Sequence, residues 1–121
     1  MLPALPMKNS EIEKSTPFSI AETVDYLPGA IINRTIVKKI TGIINAIAFH
    51  PGESLKQKIS PFDTFLQVID GNAEIFINEK LYEIGMGEAI IVPAHSRNTI
   101  KAIQRCKMLS IIIKSGYEEV S

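Results

Sequence analysis

The sequence contains a single cysteine, Cys106, and no tryptophan. One cysteine cannot form an intramolecular disulfide, so the sequence predicts a reducing, cytoplasmic location in which the thiol packs as a small apolar side chain. Thirteen basic residues balance thirteen acidic ones, which leaves no net positive charge to attract a polyanion. We therefore expect no nucleic-acid partner.

Long hydrophobic runs are also missing. None approaches the roughly 20 residues that a membrane-spanning helix needs, and residues 1–7 lack the basic leader and apolar centre of a secretory signal. The chain has 121 residues, of which 45% are hydrophobic, enough for one buried core and too few for two. The sequence predicts one compact domain without a membrane partner.

Short β-branched and aromatic runs alternate with turn residues, a pattern typical of an antiparallel sandwich or barrel. The runs on either side of Asp70-Gly71-Asn72 predict a tight β-hairpin over 65–77. Ser19 and Glu22 have the spacing of a capping box and favour a short helical turn over 19–26. The other predicted strands cover 31–37, 43–49, 81–84, 89–92, 98–102 and 106–114.

These patterns divide the chain into an N-terminal arm over residues 1–29, a barrel over 30–114 and a C-terminal tail over 115–121. Two apolar runs, Ile90–Val92 and Ile111–Ile113, indicate either core or subunit interface. Zero net charge gives little repulsion between copies and makes self-association easy where an apolar patch is exposed. Because the apolar strands exceed what one small barrel needs to fill, we expect a homodimer.

The order of turn residues resembles that of a small single-domain cupin, an all-β, antiparallel double-sheet jelly-roll barrel of the RmlC-like kind. Pro51-Gly52, Gly71, Gly87 and Pro93 stand where the two cupin motifs have their turns. The resemblance covers about residues 31–113. It implies a first motif with two histidines and a glutamate, and a second motif with a third histidine, which together bind a metal ion in metal-dependent cupins.

This chain has other residues at those four positions: Lys58 and Ser60 replace the two histidines, Thr64 the glutamate and Asn98 the third histidine. An ammonium group and neutral oxygens are poor ligands for a transition metal, so we expect no metal and no other cofactor. In the barrel register all four side chains point inward. We take them as a candidate site for a small polar or anionic ligand, with Lys58 either orienting an anionic group or extending into solvent.

The remaining reactive groups lie outside the motif positions. His50 and His95 are expected in solvated loops, and Asp63 is expected to make a turn or capping contact. The larger aromatic side chains are expected to pack in the core or at a dimer contact: Phe49, Phe62, Phe65, Phe76 and Tyr82.

Two functions follow from this interpretation. The first is a cupin-type domain that binds a small molecule, or has only a structural role, without a metal. The alternative is a metal-independent, isomerase-like enzyme acting on a small polar or anionic substrate, which would need a base of suitable pKa. No motif position supplies a histidine or glutamate for that role, so no catalytic residue is assigned. A sensor domain joined to a DNA-binding unit ranks lower, because no helix-turn-helix pattern is present.

Overall fold

The computed structural model describes residues 12–114. Residues 1–11 of the predicted arm and the whole predicted tail, 115–121, lie outside that range. The described elements are a 3₁₀ turn, Ile20–Glu22, and eight strands, β1 Ile31–Lys39, β2 Gly42–Phe49, β3 Ser54–Gln57, β4 Thr64–Ile77, β5 Lys80–Gly85, β6 Ala89–Val92, β7 Asn98–Lys101 and β8 Cys106–Ile113. Within 12–114 no helix is long and apolar enough to cross a membrane.

The strands form a curled antiparallel sheet that folds into two layers. The first layer has the order β1-β2-β8-β4-β6, and the second has the order β3-β7-β4-β5. Strand β4 belongs to both layers, because its first half pairs with β8 and β6 and its second half with β7 and β5. The predicted all-β jelly-roll fold is confirmed.

The predicted hairpin over 65–77 is wrong, because these residues form one continuous strand. The register of β4 against β8 shifts between Val68 and Asp70, and Gly71 has a φ of 81°. The bulge therefore lies at Ile69, and Gly71 follows it with positive φ inside the strand instead of forming a turn. This irregular stretch lies where β4 passes from one layer into the other. The hairpin follows β4, where Asn78 and Glu79 both have positive φ and connect it to β5.

The core lies between the two layers and is lined by alternate residues of each strand. Phe49, Leu66, Ile75, Ile100 and Met108 are its largest fully buried side chains. A second, smaller cluster lies on the outward face of the first layer, where Val24 and Ile20 of the N-terminal segment cover Ala46, Ala48 and Ile36. Residues 12–26 thus serve as a cover for part of that face.

The N-terminal segment is fixed to β8 and β4 by polar contacts around Tyr26. The Tyr26 hydroxyl donates to Asp70 Oδ2 at 2.6 Å, and Lys107 Nζ donates to the Ala21 carbonyl at 2.5 Å. Arg105 and Lys107 also lie over the Tyr26 ring, 5.1 and 5.0 Å from its centre. Burial, reinforced by the hydrogen bond to Asp70, raises the pKa of Tyr26.

The predicted capping box at the helical turn is wrong. The Ser19 side chain makes no capping hydrogen bond; instead the Glu22 N–H donates to the Ser19 carbonyl at 3.1 Å. In a 3₁₀ turn of three residues, backbone hydrogen bonds between residues three apart already pair the N–H groups that a capping side chain would otherwise bind.

Strand β6 pairs only with β4 and forms an edge of the first layer. Its Val92 is buried, whereas Ile91 is 62% exposed, so only part of the run Ile90–Val92 belongs to the core of one chain. Ile91 and Ile111 both pair with Phe65, and Ile113 follows on the same side of β8. We call the outward surface formed by Phe65, Ile91, Ile111 and Ile113 the β6–β8 face.

Candidate functional site

The four residues predicted from the motifs surround one cavity at an end of the barrel. Lys58 and Ser60 lie in the connection between β3 and β4, Thr64 begins β4, and Asn98 begins β7. The cavity has a volume of about 240 Å³, and Leu55, Gln57 and Ile112 complete its wall. We call it the barrel mouth.

Strand pairing explains why residues so far apart in sequence meet there. Asn98 stands opposite both Gln57 of β3 and Ile77 of β4, and Thr64 stands opposite Ile112 of β8. Side chains alternate between the two faces of a strand, and this register turns Thr64 and Asn98 inward, where they are 7% and 8% exposed. Lys58 is exposed at the rim, and Ser60 is half-buried.

Hydrogen bonds join the two loops of the rim. Ser60 Oγ accepts from the Phe62 N–H at 3.1 Å, and the Ser60 carbonyl accepts from the His95 N–H at 2.6 Å. Asp63 Oδ1 accepts from the Ala94 N–H at 2.8 Å, a long-range contact that joins the two loops. The predicted local turn or capping contact of Asp63 stays a prediction. These hydrogen bonds fix the two loops of the rim relative to each other. Such a rim is preorganised, so that less conformational entropy is lost when a ligand binds.

Neither histidine places its ring in the lining of the mouth. The exposed His95 contributes its backbone, in a left-handed conformation with a φ of 66°. The His50 N–H donates to the Ala30 carbonyl at 3.1 Å, where β2 ends. Both residues thus shape loops near the ends of strands.

Asn98 is the chemically unusual residue of the mouth. Its Oδ1 atom is buried and has no hydrogen-bond partner within residues 12–114. Buried polar atoms in folded proteins are nearly always paired, and a buried acceptor without a donor costs about 1–3 kcal/mol. A donor supplied from outside the chain would recover that free energy.

The residues at the four motif positions do not fit a divalent transition metal. Lys58 carries a cationic donor, and Ser60 Oγ already accepts a hydrogen bond from the backbone. Thr64 and Asn98 add only neutral oxygens or an amide, which are weak ligands beside imidazole and carboxylate. Among the described residues no group of three or more His, Cys, Asp or Glu side chains is placed to hold a metal ion.

A larger cavity, of about 550 Å³, lies on the outward side of the second layer. We call it the outer groove; it is lined by Lys56, Gln57, Lys58, Ile59, Phe76, Glu79, Arg97, Asn98 and Thr99. It meets the barrel mouth at Gln57, Lys58 and Asn98. The sequence predicts packing for Phe76 and does not indicate this groove. The available signal was alternation in β4, which turns Ile75 and Ile77 inward and leaves a large aromatic side chain facing outward.

Several solved structures are similar to this chain. A protein of unknown function from Streptococcus pyogenes has a TM-score of 0.82 and 23% identity, over 88% of this chain and 94% of that one. A cupin superfamily protein from Desulfitobacterium hafniense has a TM-score of 0.81 and 20% identity, over 88% of this chain and 98% of that one. A cupin 2 conserved barrel domain protein from Leptotrichia buccalis has a TM-score of 0.77 and 30% identity, over 80% of this chain and 47% of that one.

No protein-family model matches the sequence, and no curated protein matches it either. The similarity therefore concerns the fold, and the chemistry has to be argued from the residues of the site.

Proposed function

This chain has the small cupin fold, and from that premise we propose that it is a metal-independent binding domain for a small polar or anionic molecule. The ligand would occupy the barrel mouth and contact Lys58, Ser60, Thr64 and Asn98. The observation that carries the proposal is the buried Asn98 Oδ1, which has no donor within the described chain.

The chemistry of the mouth narrows the class of ligand. Asn98 Oδ1 needs a hydroxyl or N–H donor, and the Thr64 hydroxyl beside it can either donate or accept. Lys58 is exposed at the rim and would attract an anionic group to the entrance. A small hydroxy acid satisfies both requirements and suits a cavity of about 240 Å³.

We favour binding over catalysis on the residues of the mouth. Of its described lining residues only Lys58 ionises, and none is a histidine, aspartate or glutamate, the side chains that most often act as a general base. The isomerase-like alternative gains no specific support from this lining.

A titration with three matched probes tests the proposal: glycerate, glycerol, which lacks the carboxylate, and propionate, which lacks the hydroxyls. Isotope-labelled, chelator-treated protein is titrated with each, and the side-chain amide signals of Asn98 are followed by NMR. We expect glycerate to bind at least about tenfold more tightly than propionate, which lacks the hydroxyl donors. It should bind about twofold to fivefold more tightly than glycerol, because the charge pair with the exposed Lys58 is weak. Equal affinities for all three probes, or no change in the Asn98 amide signals with glycerate, would contradict the proposal.

Two variants identify the groups involved. Asn98→Leu replaces the amide by an apolar group of similar size, and we expect it to weaken glycerate binding by about tenfold or more. Lys58→Gln should weaken glycerate by only about twofold to fivefold, because exposed charge pairs are weak, and should leave glycerol unaffected. Lys101→Gln is the matched control, since Lys101 lies on the outward face of β7. Loss of binding in Lys101→Gln alone would place the site elsewhere.

We further propose a homodimer that forms through the β6–β8 face. Ile91 and Ile113 are 62% and 50% exposed there, and edge strand β6 has a second side without a strand partner among the described residues. Burying this surface against a second copy would remove apolar area from water and protect the edge. A cytoplasmic location is part of the same proposal and is supported by the single, buried thiol of Cys106.

Analytical ultracentrifugation tests the dimer. We expect a mass near twice the 13.4 kDa of one chain, and we expect Ile91→Glu to produce monomers because a charge cannot be buried unpaired at the contact. Ile103→Glu changes a residue of similar exposure in the loop between β7 and β8 and should leave the dimer intact. A monomeric unmodified protein would refute the dimer.

A further inference from the structure

We propose that the outer groove is a second ligand site, which binds a small molecule that combines an aromatic ring with an anionic group. The occupant would lie with its ring on Phe76 and its anion between Lys56 and Arg97. The inference is independent of the ligand in the barrel mouth.

Charge favours an anion in the groove. Three cationic side chains, Lys56, Lys58 and Arg97, line it together with one carboxylate, Glu79. Within the described chain the three cations make no side-chain hydrogen bond or ion pair, so an arriving anion displaces no existing partner. On a protein with zero formal net charge this is a local excess of positive charge that attracts small anions.

The strand register fixes an apolar floor between these charges. Lys56 stands opposite Thr99 of β7, and Thr99 stands opposite Phe76 of β4. Phe76 is half-buried with its side chain on the outward face of the sheet, and Ile59, 56% exposed, lies at the rim of the groove. An aromatic ring can stack on Phe76, and the Thr99 hydroxyl can donate to the anionic group.

The groove has the size and composition of a ligand site. Its volume of about 550 Å³ falls in the range of about 300–1,000 Å³ typical of small-molecule pockets. Phe76 and Thr99 face away from the barrel interior, whereas Thr64 and Asn98 face into it. Occupation of one site therefore does not require occupation of the other.

The test is an NMR titration of the full chain with phenyl phosphate, compared with inorganic phosphate and with benzyl alcohol. We expect phenyl phosphate to bind at least about tenfold more tightly than either, because each of these lacks the ring or the anion. Its affinity should also fall as salt is added, since the charges are exposed. Equal affinity for phenyl phosphate and inorganic phosphate would overturn the aromatic part, and equal affinity for benzyl alcohol would overturn the anionic part.

Four variants locate the site. Arg97→Gln should weaken phenyl phosphate by about twofold to fivefold, and Glu79→Gln should tighten it by a similar factor, because the first removes an attraction and the second a repulsion. Phe76→Leu should weaken phenyl phosphate while leaving inorganic phosphate unchanged. Lys101→Gln, on the same outward face but outside the lining, should change neither.

Thr64→Val separates the two proposals, because Thr64 lines only the barrel mouth whereas Asn98 lines both cavities. It should weaken glycerate binding in the barrel mouth and leave phenyl phosphate in the outer groove at its normal affinity. Loss of phenyl phosphate binding in Thr64→Val with no effect of Phe76→Leu would show that the aryl anion enters the mouth, and would overturn the second site.

Discussion

At the scale of single residues, Asn98 links binding to stability. The unmodified protein carries the cost of a buried oxygen without a partner, and an apolar side chain of similar shape avoids that cost. We predict that Asn98→Leu raises the free energy of unfolding by about 1 kcal/mol in the absence of ligand, although it removes the proposed ligand contact. Urea unfolding monitored by circular dichroism measures the difference.

Asn98→Asp is the matched comparison. It keeps the size of the side chain but places a charge in the buried position, so it should lower the free energy of unfolding. If Asn98→Leu proved less stable than the unmodified protein, Oδ1 would have a donor in solution, which would contradict the proposed role of Asn98 as an unpaired acceptor.

Cys106 makes the stability of the protein sensitive to alkaline pH. Burial, with a contribution from the nearby Asp70 charge, raises the pKa of its thiol from 9.0 to about 12. The folded state therefore holds this proton more tightly than the unfolded state, and the resulting stability is complete below pH 9.0 and is lost as the pH rises towards about 12. Between these values the free energy of unfolding should fall by up to about 1.4 kcal/mol per pH unit.

Urea unfolding at several pH values between about 8 and 10 tests this effect, a window in which the thiol titrates before most tyrosines of the unfolded chain. Cys106→Ala should reduce the slope of stability against pH, whatever its effect on stability at neutral pH. Tyr26→Phe is the control, because the pKa of Tyr26 is also raised but its contribution begins near its ordinary value of 10.0. If the free energy of unfolding fell equally steeply with pH in the unmodified protein and in Cys106→Ala, the Cys106 thiol would not be the cause of the pH dependence.

The residues around the barrel mouth could be predicted from motif spacing, but their contacts could not. Spacing identified four positions that strand pairing then brings to one cavity. Whether Asn98 Oδ1 has a hydrogen-bond donor depends on side chains that are close in space but distant in the sequence. A local sequence pattern does not contain this information. The outer groove could not be predicted for a related reason. Phe76, Lys56 and Arg97 are distant in the sequence, and only the fold brings them to one cavity.

At the scale of elements, β4 depends on Gly71 for its bend. A side chain there would adopt a φ of 81° and would collide with the Arg105 carbonyl. We predict that Gly71→Ala lowers the free energy of unfolding by about 3 kcal/mol or more, since backbone strain and a backbone clash add together. Urea unfolding again provides the measurement.

Gly52→Ala is the control for Gly71→Ala. Gly52 also has positive φ, 87°, but a Cβ there would meet nothing within 4 Å. Gly52→Ala should lower the free energy of unfolding only by the strain of a side chain at positive φ, about 1 kcal/mol. Equal losses in the two variants would show that the close approach of Arg105 does not contribute.

The same glycine explains the error in predicting β4. Asp-Gly between two apolar runs is a strong local signal for a hairpin, yet here the positive φ of Gly71 lies just after a bulge, inside one strand of 14 residues. The two uses require the same backbone conformation and differ only in which strands pair on either side. Partner strands β8 and β7 lie more than 20 residues further along the chain, beyond the reach of local reasoning.

At the scale of the whole molecule, restoring the metal ligands tests the register of the barrel. A variant combining Lys58→His, Ser60→His, Thr64→Glu and Asn98→His places three imidazoles and a carboxylate around the mouth, a donor set that binds Zn²⁺ or Ni²⁺. We expect it to bind one equivalent of Zn²⁺ in a calorimetric titration, and the unmodified protein to bind none. If the variant folds and binds no zinc, the four positions are not those of the cupin motifs.

The measurement that tests the central claim most directly is the affinity of glycerate before and after removal of metal. One sample is purified without chelator, and a second is treated with EDTA and exchanged into metal-free buffer. A metal-independent site in the barrel mouth predicts the same affinity in both samples and no gain on adding Zn²⁺, Fe²⁺ or Ni²⁺. Binding that disappears with EDTA and returns with one of these ions would contradict the account.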